Sequence, residues 1–105
     1  MTKYILIQTT IDCQEKAKEI ATYLIEKKTA ACVQIEGPIS SYYMWENKQE
    51  TTTEWRLTIK TNTSLYDRVE ENILEKHTYD TPEIIATSIE NGYPPYLNWI
   101  DSSVN

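Results

Sequence analysis

Glycine, proline, histidine and cysteine are all scarce in this chain, and each scarcity narrows the reading. Two glycines and four prolines occur in 105 residues, too few for a disordered or low-complexity tail. There is one histidine, His77, and two cysteines, Cys13 and Cys32. Neither a Cys-x-x-Cys nor a His-x-x-x-His spacing exists, so no local metal chelate is written along the chain. One disulfide is arithmetically available, but nothing else points to secretion. Basic runs are lacking, Lys27-Lys28 being the longest. A net charge of −6 with no basic stripe repels a phosphate backbone, and no nucleic-acid partner is expected. Long apolar runs are lacking too. The opening MTKYILIQTT carries one lysine and a four-residue apolar run, too short for a signal peptide or a membrane span. The expectation is a cytosolic protein with reduced thiols and no membrane contact.

What remains is ordinary globular material, 40% hydrophobic and 25% charged. The length predicts one domain over residues 1–105, with roughly a third of the unfolded surface left wet. Residues 4–9 form an apolar, β-rich run. Asp12 with Glu15 three residues on predicts a capping-box start, and Ala17, Ile20, Ala21, Leu24 and Ile25 then recur at helical spacing. Lys27 and Lys28 fit the last turn of that helix, where the dipole favours cations. Ala31 to Trp45 is β-branched and aromatic, with Gly37-Pro38 predicting a bulge or bend. Glu54 to Thr61 alternates polar and apolar, a half-buried strand. Glu46-Asn47-Lys48-Gln49 between them reads as a hairpin turn. Thr63-Ser64 and Asp67 open a second helix with Leu65, Val69 and Ile73 on its apolar face. Tyr79 to Pro82 breaks the chain, Ile84 to Ile89 reads as a fourth strand, and Tyr96, Leu97 and Ile100 predict a short C-terminal helix. The order β-α-β-β-α-β predicts an α+β, ferredoxin-like sandwich, four antiparallel strands carrying two helices on one face.

The central hairpin is longer than a typical strand pair of about 5–6 residues per arm. It should project beyond the sheet with Tyr42, Tyr43, Met44, Trp45 and Trp55 at its tip. A lone hairpin is marginal in water and exposed edges are adhesive. Pairing with neighbouring copies is therefore expected, and these residues are its candidate oligomer interface. The alternative is that the aromatics cover the chain's own core.

The same segments carry a family likeness. Ala31-Cys32-Val33-Gln34-Ile35 resembles the start of the second strand in the CutA divalent-cation tolerance family. Tyr43-Met44-Trp45-Glu46-Asn47-Lys48 is similar to that family's Tyr-x-Trp-x-Gly-Lys hairpin, and Glu54 with Ile59-Lys60-Thr61 resembles its third strand. His77 to Ile84 resembles His-Pro-Tyr-Glu-Val-Pro-Glu-Ile, and Tyr96-Leu97-Asn98-Trp99-Ile100 resembles Tyr-Leu-x-Trp-Ile. The matches fall in order between about residues 4 and 101. Asn47, Thr78, Asp80, Thr81, Trp55 and Arg56 depart from the pattern. The resemblance implies a homotrimer similar in architecture to the PII signal-transduction proteins, a role in tolerance of divalent metals, and copper binding.

Thiolate suits Cu(I), and imidazole suits Cu(II) or zinc. The candidate metal ligands are therefore Cys32 and His77, with Asp80 and Glu83 as oxygen donors and Cys13 and Met44 behind them. Their distance along the sequence requires ligands from separate segments or separate subunits. The bland readings are a small buried thiol for Cys32 and a dipole-stabilised helix-end residue for His77. A second arrangement is a cleft between subunits, with Trp45, Lys60 and Tyr79 beside His77 and Glu83, holding a small anion or metabolite. A purely structural scaffold is a third reading. Acylphosphatase-like catalysis ranks last, because Thr9 to Cys13 offers no phosphate-cradling glycine or arginine and fold alone assigns no activity. A non-enzymatic protein is expected, with no downstream partner legible.

Overall fold

The computed structural model describes residues 3–105. Eight elements run in the order β1 (Tyr4–Ile11), α1 (Gln14–Glu26), β2 (Cys32–Trp45), β3 (Lys48–Asn62), a 3₁₀ turn (Thr63–Leu65), α2 (Tyr66–Lys76), β4 (Ile85–Ser88) and α3 (Pro94–Ser103). The strands form one antiparallel sheet in the order β2-β3-β1-β4, as the split β-α-β pattern requires. Alternation decides which face is covered. Ile5, Ile7 and Ile11 of β1 and Leu57 and Ile59 of β3 pack with Ala17, Ile20 and Leu24 of α1 and Val69 and Ile73 of α2 in one buried cluster. The opposite face, reached by α3, carries Arg56, Thr58 and Lys60 from the polar half of the same alternation.

Local chemistry sets the boundaries, and several differ from the sequence reading. Cys13, not Asp12, is the N-cap of α1, and no side chain caps that end. Lys27 and Lys28 lie past the last turn. Lys28 takes φ 59°, and its amide reaches Ile25 O at 3.1 Å while the Thr29 amide reaches Leu24 O at 3.2 Å. This is the paired bonding of a left-handed helix stop with lysine in the usual glycine position. The hairpin turn is the two residues Glu46 and Asn47, at φ 50° and 65°, the left-handed pair that matches strand twist. Lys48 and Gln49 belong to β3. Asn62 accepts from the Ser64 amide at 2.9 Å and opens the second helical segment. The bulge does fall at Gly37-Pro38, where the β2–β3 register slips between Glu36 and Ile39. Gly37 is required there because a Cβ would lie 2.5 Å from Trp55 Cδ1.

One core position is chemically mismatched. Thr9 is fully buried, and among the described residues its Oγ1 has no hydrogen-bond partner. An unsatisfied buried hydroxyl costs about 1–3 kcal/mol, and valine has nearly the same shape with better strand propensity. Thr9→Val is expected to raise stability by about 1 kcal/mol, read as a higher urea midpoint at unchanged slope. A lower midpoint would mean that the hydroxyl is bonded after all.

Candidate functional site

The hairpin arms run far beyond β1. Register pairs β1 with only Trp55 to Asn62 of β3, and the arms from Ile39 to Glu54 are paired only with each other. The molecule is accordingly long, 45 × 26 × 22 Å, with a radius of gyration of 14.3 Å against about 13 Å for a compact chain of this size. Tyr42, Tyr43, Met44 and Trp45 lie on the projecting part and are 69%, 42%, 65% and 55% exposed. Trp55 does not belong with them. It lies opposite Ile11 at the root of the hairpin and packs partly buried against the core. Its place in the alternation, one residue after Glu54 and two before Leu57, already pointed inward.

Two polar groups gather on the sheet below the hairpin. The first surrounds Tyr79, on the loop between α2 and β4. His77 caps α2 and turns the loop back onto β1. One ring nitrogen, Nε2, lies 2.8 Å from Thr10 O, and the other, Nδ1, accepts from the Tyr79 amide at 3.1 Å. These two partners fix the tautomer, with Nε2 donating. The rings of His77 and Tyr79 meet edge to face at 4.8 Å. Tyr79 then donates its hydroxyl to Glu54 Oε2 at 2.6 Å, and Glu54 is only 6% exposed. Burial first, and the Glu54 carboxylate second, push the Tyr79 hydroxyl well above the ordinary tyrosine range, with smaller pushes from Asp12 and Tyr43. Glu54 sits on the polar side of the strand alternation, which gave no warning that a loop would cover it.

The second group lies at the start of β2. Cys32 and Lys60 are direct cross-strand partners, so their side chains share the face reached by α3. Lys60 Nζ is 3.3 Å from Tyr96 Oη and 5.5 Å from the centre of its ring. Trp99 stacks on Tyr96 with centroids 5.4 Å apart. Cys32 is a free, half-buried thiol. Asp101 anchors this helix, accepting from Tyr4 Oη at 2.6 Å, Lys3 Nζ at 2.9 Å and Asn62 Nδ2 at 2.9 Å. The Tyr4 hydrogen bond, then Lys3, hold its carboxyl below the ordinary range. Tyr96 was legible on a helix face, with Trp99 beside that face, but neither as a neighbour of Lys60, which only the tertiary crossing reveals.

The candidate metal ligands do not converge within one chain. Thr10, which meets His77, pairs with Arg56, whereas Cys32 pairs with Lys60. Four residues of strand, about 13 Å, separate the two. Both His77 ring nitrogens are engaged, leaving no lone pair for a metal while those bonds stand. Asp80 and Glu83 are exposed on the loop, and Cys13 is exposed at the start of α1. Among the described residues no three His, Cys, Asp or Glu side chains are grouped to hold an ion. Nor does one chain close the predicted cleft. Trp45 pairs with Lys48, twelve strand residues or about 40 Å from Lys60, and Tyr79 at Glu54 lies about 20 Å from it.

These features define a class: a small α+β sheet protein with a projecting aromatic hairpin and two polar groups on the sheet below it. Residues 5–103 match the family model described as CutA1 divalent ion tolerance protein. The chain belongs to that family. It is 42% identical over 98 residues to the divalent-cation tolerance protein CutA of Archaeoglobus fulgidus, covering 93% of this chain and 95% of that one. It is 41% identical over 99 residues to the chloroplastic protein CutA 1 of Oryza sativa subsp. japonica, covering 94% of this chain but 56% of that protein's length. The crystal structure of CutA1 from Oryza sativa superposes with a TM-score of 0.96 at 39% identity, covering 99% of this chain and 95% of that one.

Proposed function

We propose that this protein acts in divalent-metal tolerance as a cytosolic, non-enzymatic homotrimer, and that it binds copper through ligands contributed by more than one chain. Family membership across residues 5–103 carries the metal role. The trimer is supported by the projecting hairpin with its exposed aromatics and by the outer edges of β2 and β4, on which no further strand pairs among the described residues. Cys32 is the soft donor in this reading, a half-buried free thiol at a strand start. His77 serves the loop instead, since its nitrogens already hold Thr10 and Tyr79.

The test is titration of the reduced protein with Cu(I), Cu(II) and Zn(II) against a competing chelator, recording stoichiometry per trimer. Cys32→Ser is expected to abolish Cu(I) binding, whereas His77→Ala should retain it and lose stability. Weak, non-integral binding that survives Cys32→Ser would sink direct metal recognition. One observation favours a second reading in that case. Lys60 has no carboxylate partner among the described salt bridges and meets Tyr96 instead, leaving a cation free for a small anionic metabolite. That would place the protein among trimeric, PII-like regulators, and a thermal-shift screen of anionic metabolites on wild type and Lys60→Met would decide it.

A further inference from the structure

We propose that Asn91-Gly92 is a self-modification site, at which the chain converts Asn91 to aspartate and isoaspartate through a cyclic imide. The segment hangs between two anchors. On one side the Ile89 amide donates to Tyr4 O at 2.9 Å; on the other, Tyr93 O accepts from the Tyr96 and Leu97 amides at 2.9 and 3.1 Å. Between them Glu90, Asn91 and Gly92 are exposed or nearly so and belong to no helix or strand. Among the described residues the Gly92 amide has no acceptor and the Asn91 side chain has no partner. Glycine bears no Cβ to shield its nitrogen, which lies next to the Asn91 side chain in the chain.

The chemistry needs only water. The Gly92 amide nitrogen attacks Asn91 Cγ, forming a carbon–nitrogen bond. The carboxamide nitrogen leaves as ammonia, taking with it the Gly92 amide proton. Water then opens the five-membered ring at one of its two carbonyls. One opening restores the main chain with aspartate at this position. The other leaves the chain running through the side-chain carbonyl as isoaspartate. Both products carry one more negative charge.

The other five asparagines lack this combination. Asn62 and Asn72 are engaged with Asp101 and Thr29 and precede Thr63 and Ile73. Asn98 is inside α3, Asn47 precedes Lys48 at the hairpin turn, and Asn105 is the last residue.

The two products differ in consequence. Aspartate keeps the backbone and places a carboxylate just before α3, where the helix dipole favours it. Isoaspartate adds an atom to the main chain at the residue before Gly92. Gly92 is packed on Leu97, so closely that a Cβ would lie 2.7 Å from Leu97 Cδ2. The lengthened chain pushes Gly92 off that contact and loosens the first turn of α3, which carries Tyr96 over Lys60.

The experiment is incubation of the full chain at mildly alkaline pH, followed by ion exchange and peptide mapping. The expected result is a more acidic species with a gain of about one dalton, located at Asn91 alone and released as both isomers. Gly92→Ala, whose new methyl meets the Leu97 side chain, and Asn91→Gln should both lose it. The purified isoaspartyl form should melt below the Asn91→Asp variant. Asn91 remaining intact while an unfolded peptide of the same sequence converts, or Gly92→Ala converting as fast as wild type, would overturn the proposal.

Discussion

Tyr79→Phe is expected to cost the fold about 2 kcal/mol at neutral pH and to flatten its loss of stability in alkali. Glu54 is 6% exposed, and the Tyr79 hydroxyl at 2.6 Å is its side-chain hydrogen-bond partner. Removing that donor strands a buried carboxyl oxygen, the expensive half of the asymmetry between lost and unmade bonds. The double variant Tyr79→Phe, Glu54→Leu should recover much of the loss, because neither buried group then lacks a partner. The pH dependence has a definite sign. Tyr79 is raised in the folded state by burial and by Glu54, so its contribution is whole below about pH 10, the unfolded tyrosine value. As pH rises beyond that, the unfolded chain gives up this proton and the folded one keeps it, so the unfolded state binds fewer protons and stability falls. Phenylalanine removes this part of the slope. A residue of it remains, because Tyr4, Tyr23 and Tyr66 are also raised, chiefly by hydrogen bonds to Asp101, Glu75 and Glu70. Urea unfolding of both proteins at neutral pH and above pH 10 reads the effect. Equal stability at neutral pH would mean that the Tyr79–Glu54 bond is not formed in solution.

That bond also shows where sequence reading stops. The three helices, four strands, bulge and hairpin turn are written in short-range patterns: alternation around Leu57 and Ile59, helical spacing of Ile20 and Leu24, glycine and proline at the bulge. Boundaries slipped where a general rule met a local substitute, as when Lys28 took the left-handed stop that glycine usually fills. The candidate site was less legible, for a physical reason. Strand alternation tells which side a residue faces, not what folds over it. Glu54 and Lys60 stand on the same polar side, yet one is roofed by Tyr79 and the other meets Tyr96. His77 was visible as a chemically versatile residue, but its engagement with Thr10 O spans 67 residues and leaves no trace in local composition. That the candidate metal ligands lie apart in the single chain follows from register, which only pairing fixes.

The hairpin gives the largest expected effect on assembly. Tyr42→Ser, Met44→Ser and Trp45→Ser together should turn the proposed trimer into a monomer without unfolding it. The fold is spared because Ile7, Leu57, Ile59 and Ile73, the centre of the core, lie on β1, the β1-paired half of β3, and α2. The residues replaced are 69%, 65% and 55% exposed in the single chain, so the isolated protomer loses little burial. Assembly loses more. Central aromatic anchors are each worth about 2 kcal/mol or more in an interface, roughly thirtyfold in dissociation constant. Trp55→Ser is the informative contrast. Its ring packs on the core and beneath Gly37, so that substitution should lower folding stability by about 3 kcal/mol or more rather than act through association alone. Sedimentation equilibrium gives the mass of each variant, and urea unfolding gives its stability. A wild-type protein that is monomeric at micromolar concentration would remove the trimer. A tip variant that keeps the trimer mass would move the interface off the hairpin and onto the open edges of β2 and β4. The same comparison bears on the metal proposal, since ligands drawn from several chains require the chains to be held together. Copper binding by wild type that vanishes in the monomeric tip variant, with Cys32 intact, would tie the two readings to one assembly.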